Sequence, residues 1–312
     1  MIKRAFGNTG LAVSALGLGC NNFGRRLDLD GTRAVVDAAI EAGINFIDTA
    51  DVYGDRGGSE TLLGATLGSR RKDLILATKF GLPMAPEGRL SGGKRSYVLS
   101  AVEASLKRLK TDWIDLYYLH RPDPATPIEE TLGALDELVR QGKIRYAGCS
   151  NLPGPQLADA MELARTKKLN PFVAAQDEYN LLSRKIETDL VPLIERFGLA
   201  LVPYFPLASG LLTGKYRKGQ PIPTGTRLSD PRLSARFANE QNLEVVERLA
   251  TFCAQRGRTM LELAFGWLLT RPYVASVIAG ATTSQQVRQN AGALGWQLTA
   301  DEIGEVERIT AR

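Results

Sequence analysis

The feature that most constrains this chain is an alternation, repeated eight times, of short apolar runs and longer amphipathic ones. The apolar runs cover residues 15–20, 45–50, 74–80, 113–120, 144–150, 172–180, 200–207 and 274–280. Helical patterns follow at 31–42, 59–67, 96–109, 128–141, 155–167, 188–197, 260–270 and 284–293. Apolar residues recurring at helical period mark an element with one buried face, and short β-rich runs mark strands. Strands joined through helices pair in parallel, because the helix carries the chain back to the edge where the first strand began. Runs such as Ile144-Arg145-Tyr146-Ala147-Gly148-Cys149 are nearly continuous in apolar residues, as strands covered on both faces should be. Eight such units predict an α/β chain folded as a (β/α)8 TIM barrel.

Two regions depart from the repeat. Residues 3–14 read as an N-terminal β-hairpin turning at Asn8-Thr9-Gly10, placed to close the barrel floor. Residues 208–238 are rich in Gly, Pro, Arg and Ser and form a long loop after strand seven. Connections of that length in a packed domain usually serve a function or lack order. A C-terminal helix completes the pattern. No domain linker interrupts it, so residues 1–312 are expected to form one barrel domain.

The balance of 39 basic and 34 acidic residues, a net charge of +5, narrows the partners. Basic residues are scattered and runs such as Arg70-Arg71-Lys72 are short, which does not make a nucleic-acid footprint. A mild positive field still favours an anionic ligand such as a phosphorylated cofactor. Cys20, Cys149 and Cys253 are widely spaced and form no C-x-x-C pair, which fits a reducing compartment and neither a disulfide framework nor a cysteine zinc site. The first residues lack the apolar core of a signal peptide, and no apolar stretch is long enough to span a membrane. A cytoplasmic protein with no membrane or nucleic-acid partner is expected. Charge and size leave the oligomeric state open.

Four ionisable groups fall at strand ends, where barrel active sites lie. Asp48 ends the second run, Tyr53 stands just beyond it, Lys79 ends the third and His120 the fourth. His120 is the one histidine of the chain. Delivering hydride to a carbonyl carbon builds negative charge on its oxygen, so a general acid must supply a proton. A tyrosine, with a reference pKa of about 10, is a weak acid at neutral pH. Lys79 beside it would lower that value, Asp48 would hold Lys79 charged, and His120 would orient the substrate oxygen. Taken singly, each residue has a plainer reading: a helix cap, a solvated strand end, a structural histidine. Together, at matched strand ends, they read as a site. The run Gly17-Leu18-Gly19-Cys20-Asn21-Asn22 is not a dinucleotide fingerprint, and Gly214-Lys215 is not a phosphate loop, since Ser209 and Tyr216 occupy positions such a loop requires otherwise. No His, Cys and carboxylate cluster marks a metal, and none is expected.

Across nearly its whole length the chain resembles the aldo-keto reductases. The resemblance is carried by residues 45–60, Ala77-Thr78-Lys79, Ser105-Leu106-Lys107-Arg108-Leu109, residues 115–120, Gly142-Lys143-Ile144-Arg145 and Gly148-Cys149-Ser150-Asn151. It continues through Gln176-Asp177-Glu178-Tyr179-Asn180-Leu181, Tyr204-Phe205-Pro206-Leu207, residues 210–215 and Ile278-Ala279-Gly280-Ala281-Thr282. It implies the tetrad Asp48, Tyr53, Lys79 and His120, with Tyr53 as general acid in NADPH-dependent reduction of an aldehyde or ketone, or in the reverse oxidation. It implies that Ser150, Asn151 and Gln176 hold the nicotinamide carboxamide and that Tyr204 stacks on its ring. Leu207, Ser209, Gly210, Lys215, Arg227, Gly280, Thr282, Gln286, Gln289 and Asn290 are matched to the rest of the cofactor. The cations among them favour NADP(H) over NAD(H). Relatives often carry a basic residue where Gln286 stands, and an aromatic where this chain has Asn21-Asn22. The substrate pocket, expected from Asn21, Asn22, Phe23 and Phe80 with walls from residues 81–94 and 207–238, is thereby more polar on that side. A histidine at 120 favours C=O over C=C reduction. The alternative implied by the resemblance is a cofactor-binding regulatory partner of the channel beta-subunit type.

Overall fold

The apolar runs pair as their spacing requires. In the computed structural model, which describes residues 1–88 and 90–311, a two-stranded hairpin precedes an eight-stranded parallel sheet. The hairpin is β1 (Lys3–Ala5) and β2 (Ala12–Ser14). The sheet strands are β3 (Leu16–Gly19), β4 (Phe46–Asp48), β5 (Ile75–Phe80), β6 (Ile114–Leu119), β7 (Ile144–Ser150), β8 (Phe172–Gln176), β9 (Ala200–Leu201) and β10 (Val277–Gly280). They lie in the order β10-β3-β4-β5-β6-β7-β8-β9. A parallel bridge between Leu201 and Val274 joins the two ends, with Ala275 N–H donating to the Leu201 carbonyl at 2.9 Å. This is the (β/α)8 barrel that the alternation predicts.

The helices surrounding it are α1 (Leu29–Glu41), α2 (Tyr53–Leu67), α3 (Arg95–Leu109), α4 (Ile128–Arg140), α5 (Gly154–Lys167), α6 (Ile186–Asp189), α7 (Val191–Phe197), α8 (Pro231–Phe237), α9 (Glu240–Ala254), α10 (Met260–Leu269), α11 (Ser284–Gly292) and α12 (Ala300–Thr310). None is long and apolar enough to cross a membrane among the described residues. Helix α9 lies outside the eight predicted helices, although Val245, Val246, Leu249, Phe252 and Cys253 form its buried face. It belongs to the long excursion between β9 and β10, so that crossing carries three helices rather than one.

Two packed regions hold the fold. Between sheet and helices lies the larger one, built from Val35, Val36, Leu63, Leu132, Leu135 and their neighbours. Inside the barrel lies a smaller one, where Phe46, Ala77, Leu116, Tyr118, Ala174, Val202 and Ile278 meet Phe6 and Val13 of the hairpin. The Phe6 ring lies 5.8 Å from that of Phe46. Arg4 donates to the carbonyls of Leu269 and Arg271, both at 2.9 Å, and Tyr146 OH donates to the Thr9 carbonyl at 2.8 Å. The hairpin therefore seals the end of the barrel where the strands begin.

The seventh barrel strand is shorter than predicted. The run 200–207 forms a continuous strand only at Ala200–Leu201, with one further isolated bridge from Tyr204 to Glu178, because Pro203 and Pro206 carry no N–H for a ladder. Val202 and Tyr204 still donate to the carbonyls of Ala175 and Asp177, after which Phe205, Ala208 and Ser209 adopt positive φ and the chain peels outward. That departure opens the mouth of the barrel.

Truncating the seal tests its role. Phe6→Ala removes a fully buried ring and is expected to destabilise the protein by ~3–5 kcal/mol, read as a lower denaturant midpoint. A loss well under ~1 kcal/mol would mean that the hairpin decorates the barrel rather than closing it.

Candidate active site

Parallel strands end on one rim, so residues at their C-terminal ends gather without further design. Asp48, Ser150 and Gln176 are the last residues of β4, β7 and β8, Lys79 is next to last in β5, and His120 follows β6. Lys79 is completely buried and Asp48 nearly so. The Lys79 ammonium donates to Asp48 Oδ2 and to the Thr49 carbonyl, both at 2.7 Å. Burial works against its charge, but the attraction of Asp48 and Tyr53 and the hydrogen bond to Asp48 outweigh it and raise its pKa.

Tyr53 lies over this pair, with the Lys79 ammonium 5.1 Å from its ring centroid. Burial raises the phenol's pKa; the charge of Lys79 and a hydrogen bond with it pull the other way without reversing the shift. The expectation that Lys79 lowers the Tyr53 pKa thus holds for its own contribution and fails for the balance, because desolvation penalises the phenolate more. Tyr53 keeps its proton at neutral pH. His120 stands edge-on to Tyr53, ring centroids 5.8 Å apart. Burial, with the charges of Lys79 and Arg121, pushes its pKa down to about 2, so its imidazole is neutral. Its Nδ1 is buried with no hydrogen-bond partner.

The backbone after Tyr53 is unusual. Gly54, Asp55, Arg56 and Gly57 all have positive φ, a left-handed turn at the head of α2. A Cβ on Gly54 would meet the Phe23 carbonyl and the Ser59 nitrogen at 2.5 Å, so only glycine fits there. Beneath the turn, Glu60 is wholly buried and accepts from Thr78 Oγ1 at 2.6 Å and from Arg108 Nε at 2.7 Å. Asp51, also buried, takes a hydrogen bond from Tyr97 OH at 3.4 Å, and its Oδ1 has no partner. Burial and the neighbouring Glu60 push Asp51 up to about 7. This polar layer was not legible as a unit, since its members are scattered over α2, α3, β5 and the turn before α2.

A second set of polar side chains runs round the rim. Tyr204 OH donates to Asn151 Oδ1 at 2.7 Å, Asn151 Nδ2 donates to Ser150 Oγ at 2.9 Å, and Ser150 Oγ to the Gln176 carbonyl at 2.7 Å. Gln176 Nε2 then donates to Asp48 Oδ1 at 2.8 Å. An unbroken chain of hydrogen bonds thus links Tyr204 to the Lys79–Asp48 pair.

A cleft of about 1120 Å³ opens above these residues. Asp48, Tyr53 and His120 line it, while Lys79 lies behind Tyr53 and Asp48. So do Ser150, Asn151, Gln176, Tyr204, Leu207, Ser209, Gly210, Lys215, Arg227, Gly280, Thr282, Gln286, Gln289 and Asn290, the whole set matched to the cofactor. Asn21 and Asn22 line it too. Phe23 and Phe80 do not: both are fully buried, and Phe80 stacks on Tyr117 at 4.7 Å. Residues 207–238 supply much of the wall, but no described residue of 81–94 does. Sequence reasoning missed Arg26, Arg121 and Phe205 in the lining, while Arg236 falls within the expected wall 207–238. The signal for two of them was adjacency, Arg121 to His120 and Arg26 to the loop holding Asn21 and Asn22.

Asp51 makes stability depend on pH in a stated direction. Its folded pKa of about 7 lies above the unfolded one, so the folded chain holds a proton that the unfolded chain has lost. That contribution is fully present below pH ~4 and is lost as pH rises to ~7. Asp177, buried and also pushed up to about 7, adds in the same sense. The wild-type denaturant midpoint should therefore fall across this window relative to Asp51→Asn; parallel profiles for the two proteins would contradict the assignment.

Comparison with known proteins agrees with this arrangement. The model of the Aldo/keto reductase family matches residues 15–311. A probable voltage-gated potassium channel subunit beta of Oryza sativa subsp. japonica is 36% identical over 99% of this chain and 96% of its own length. The L-glyceraldehyde 3-phosphate reductase of Escherichia coli (strain K12) is 36% identical over 100% of this chain and 93% of its own. With a family match over almost the whole chain, on a barrel whose rim gathers Asp48, Tyr53, Lys79 and His120, the protein belongs to the aldo/keto reductase family, oxidoreductases acting on carbonyl and alcohol groups.

Proposed function

We propose that this protein reduces small polar aldehydes or ketones with NADPH, and catalyses the reverse oxidation, with Tyr53 as the proton donor. The observation that carries the reading is the Tyr53–Lys79–Asp48 arrangement, a protonated phenol held over a buried ion pair at the floor of the cleft. The cleft suits a nicotinamide cofactor. Asn151, Ser150 and Gln176 offer donors and acceptors side by side, as a carboxamide requires. Ser209 Oγ is buried at the wall without a partner. Lys215 and the amino end of α11 suit phosphate oxygens, and the cation favours NADP(H) over NAD(H). Gln286 Oε1 accepts from Thr282 N–H at 2.7 Å, which leaves its amide Nε2 as the donor this position offers in place of the basic side chain of relatives.

When bound, the dihydronicotinamide supplies a hydride to the carbonyl carbon. The chain's own groups handle the charge that results. Neutral His120 donates a single hydrogen bond to the substrate oxygen and fixes its direction. Tyr53 transfers its phenolic proton to that oxygen. Lys79 stabilises the phenolate left behind, which is where its attraction, outweighed by burial in the resting state, becomes decisive. Asp48 keeps Lys79 charged and fixed in position. Asn21 and Asn22 make the adjoining wall polar, which suits hydroxylated substrates more than steroid-like ones.

The test follows NADPH oxidation with a panel of small aldehydes. Wild type should turn over, and Tyr53→Phe should lose about two orders of magnitude or more in kcat while binding NADPH as before. Tight NADPH binding without turnover by wild type would favour a cofactor-binding regulatory partner of the channel beta-subunit type, the Oryza sativa relative being named a probable potassium channel subunit beta. Failure to bind either nicotinamide cofactor would refute the reading outright.

A further inference from the structure

The Tyr204 hydroxyl donates to Asn151 Oδ1 at 2.7 Å. In any tyrosine the hydroxyl lies on the axis about which the ring turns, so this bond fixes where the ring ends and not how its plane is set. The resemblance places this ring against the nicotinamide, and a stacking surface needs a defined plane.

Phe205 supplies the second restraint. Along an extended chain, neighbours 204 and 205 would face opposite sides. Both line the cleft instead, because the backbone turns at Phe205, whose φ is +52°. Positive φ is rare for a bulky side chain and persists only where the surroundings enforce it. The enforcing residue is Asn180, which is wholly buried. Its Nδ2 donates to the Phe205 carbonyl at 3.0 Å, while its Oδ1 accepts from the N–H groups of Leu182 and Ser183 at 2.9 and 3.0 Å. Ala208 N–H donates to the same Phe205 carbonyl at 2.9 Å. So held, the Phe205 ring stands edge-on to Tyr204, with centroids 5.3 Å apart and planes at 77°.

The long crossing backs Phe205 in turn. Phe237 of α8 meets it edge-on at 5.8 Å, and the guanidinium groups of Arg227 and Arg236 lie 5.2 and 5.9 Å from its centroid. Arg236 also pairs with Glu178, which ties the cluster back to the segment after β8. A ring serving only the core would be buried, on backbone free of strain. Phe205 is half-buried in the cleft wall, on left-handed backbone, between Tyr204 and the crossing.

We propose that Phe205 is a positioning residue for hydride transfer, setting the plane of the Tyr204 ring against the nicotinamide and bracing it on the long crossing. The role rests on the NADPH-dependent reductase reading and adds to it a residue that touches neither of the reacting atoms. It acts through Tyr204, so its effect must vanish when the Tyr204 ring is absent.

A double-mutant cycle tests this in the full-length protein, reading the rate of NADPH oxidation in single turnover with an aldehyde that wild type reduces. An isotope effect with C4-deuterated NADPH identifies the measured phase as hydride transfer. Phe205→Gly deletes the ring and suits the positive φ, so the backbone path is kept. It should slow hydride transfer by roughly 10-fold, since small displacements of a reacting group are costly, and leave the NADPH Kd within about threefold. In the Tyr204→Leu background the same substitution should cost less than about twofold. Phe205→Tyr retains the ring and should keep the wild-type rate within about threefold. Should the glycine variant fail to fold, Phe205→Leu, which keeps apolar volume but not the flat ring, must show the same loss and the same non-additivity. An unchanged rate, equal losses in both backgrounds, or a loss confined to NADPH Kd would each overturn the role. Failure of wild type itself to oxidise NADPH would refute the reductase reading, and the role would fall with it.

Discussion

The site depends on one buried ion pair. Lys79 and Asp48 are both withdrawn from water, and removing one partner of such a pair typically costs ~3–5 kcal/mol because the other charge is left uncompensated. The pair survives because each spare bonding site is used: Lys79 also donates to the Thr49 carbonyl, and the second oxygen of Asp48 accepts from Gln176. From Gln176 the bonding passes through Ser150 and Asn151 to Tyr204, so the same ion pair that supports Tyr53 also fixes these side chains in the lining of the cleft. The proposed acid and the proposed binding groups are coupled through Asp48 rather than placed separately.

Barrel closure makes this arrangement possible. Short parallel strands, sealed below by the hairpin, bring the segments that follow them to one rim, and the prolines after β9 peel the chain away so that the rim is open rather than roofed. The long crossing from β9 to β10 supplies the wall that carries Phe205, Lys215 and Arg227. Opposite it, the left-handed turn at Gly54–Gly57 sets Tyr53 over Lys79, anchored on the buried Glu60–Arg108 and Asp51–Tyr97 contacts. Backbone in so sparse a conformation persists only where its surroundings enforce it, and here both ends of the turn lead into packed elements.

Much of this was legible in the sequence. Strand ends are marked by the sudden arrival of ionisable groups after apolar runs, and that signal places Asp48, Lys79 and His120 at the rim. Of the residues matched to the cofactor, Ser150, Asn151, Gln176, Gly280 and Thr282 reach the cleft because they stand at or just after strand ends, whose position the barrel dictates, while the long crossing and α11 supply the others. Phe23 and Phe80 misled for a physical reason: an aromatic beside a rim residue on a strand or tight turn points to the opposite face, and both rings enter the core. Helix α9 was hidden in a stretch dominated by turn-forming residues just before it. Arg26 and Arg121 escaped because a surface arginine is usually solvated, and only the shared cleft gives their charges meaning. The direction of the Tyr53 shift was beyond the sequence, since it depends on how completely the phenol is desolvated rather than on who its neighbours are.

The most direct test of the account follows the hydrogen that is transferred. The resemblance to the aldo-keto reductases implies that the pro-R hydrogen of C4 is the one transferred, so NADPH carrying deuterium at that position would be incubated with wild type and an aldehyde that it turns over, and the product alcohol weighed by mass spectrometry. The account predicts one deuterium on the carbinol carbon and none left on the oxidised cofactor. Deuterium retained by the cofactor, or an alcohol whose new C–H hydrogen comes from solvent, would contradict it.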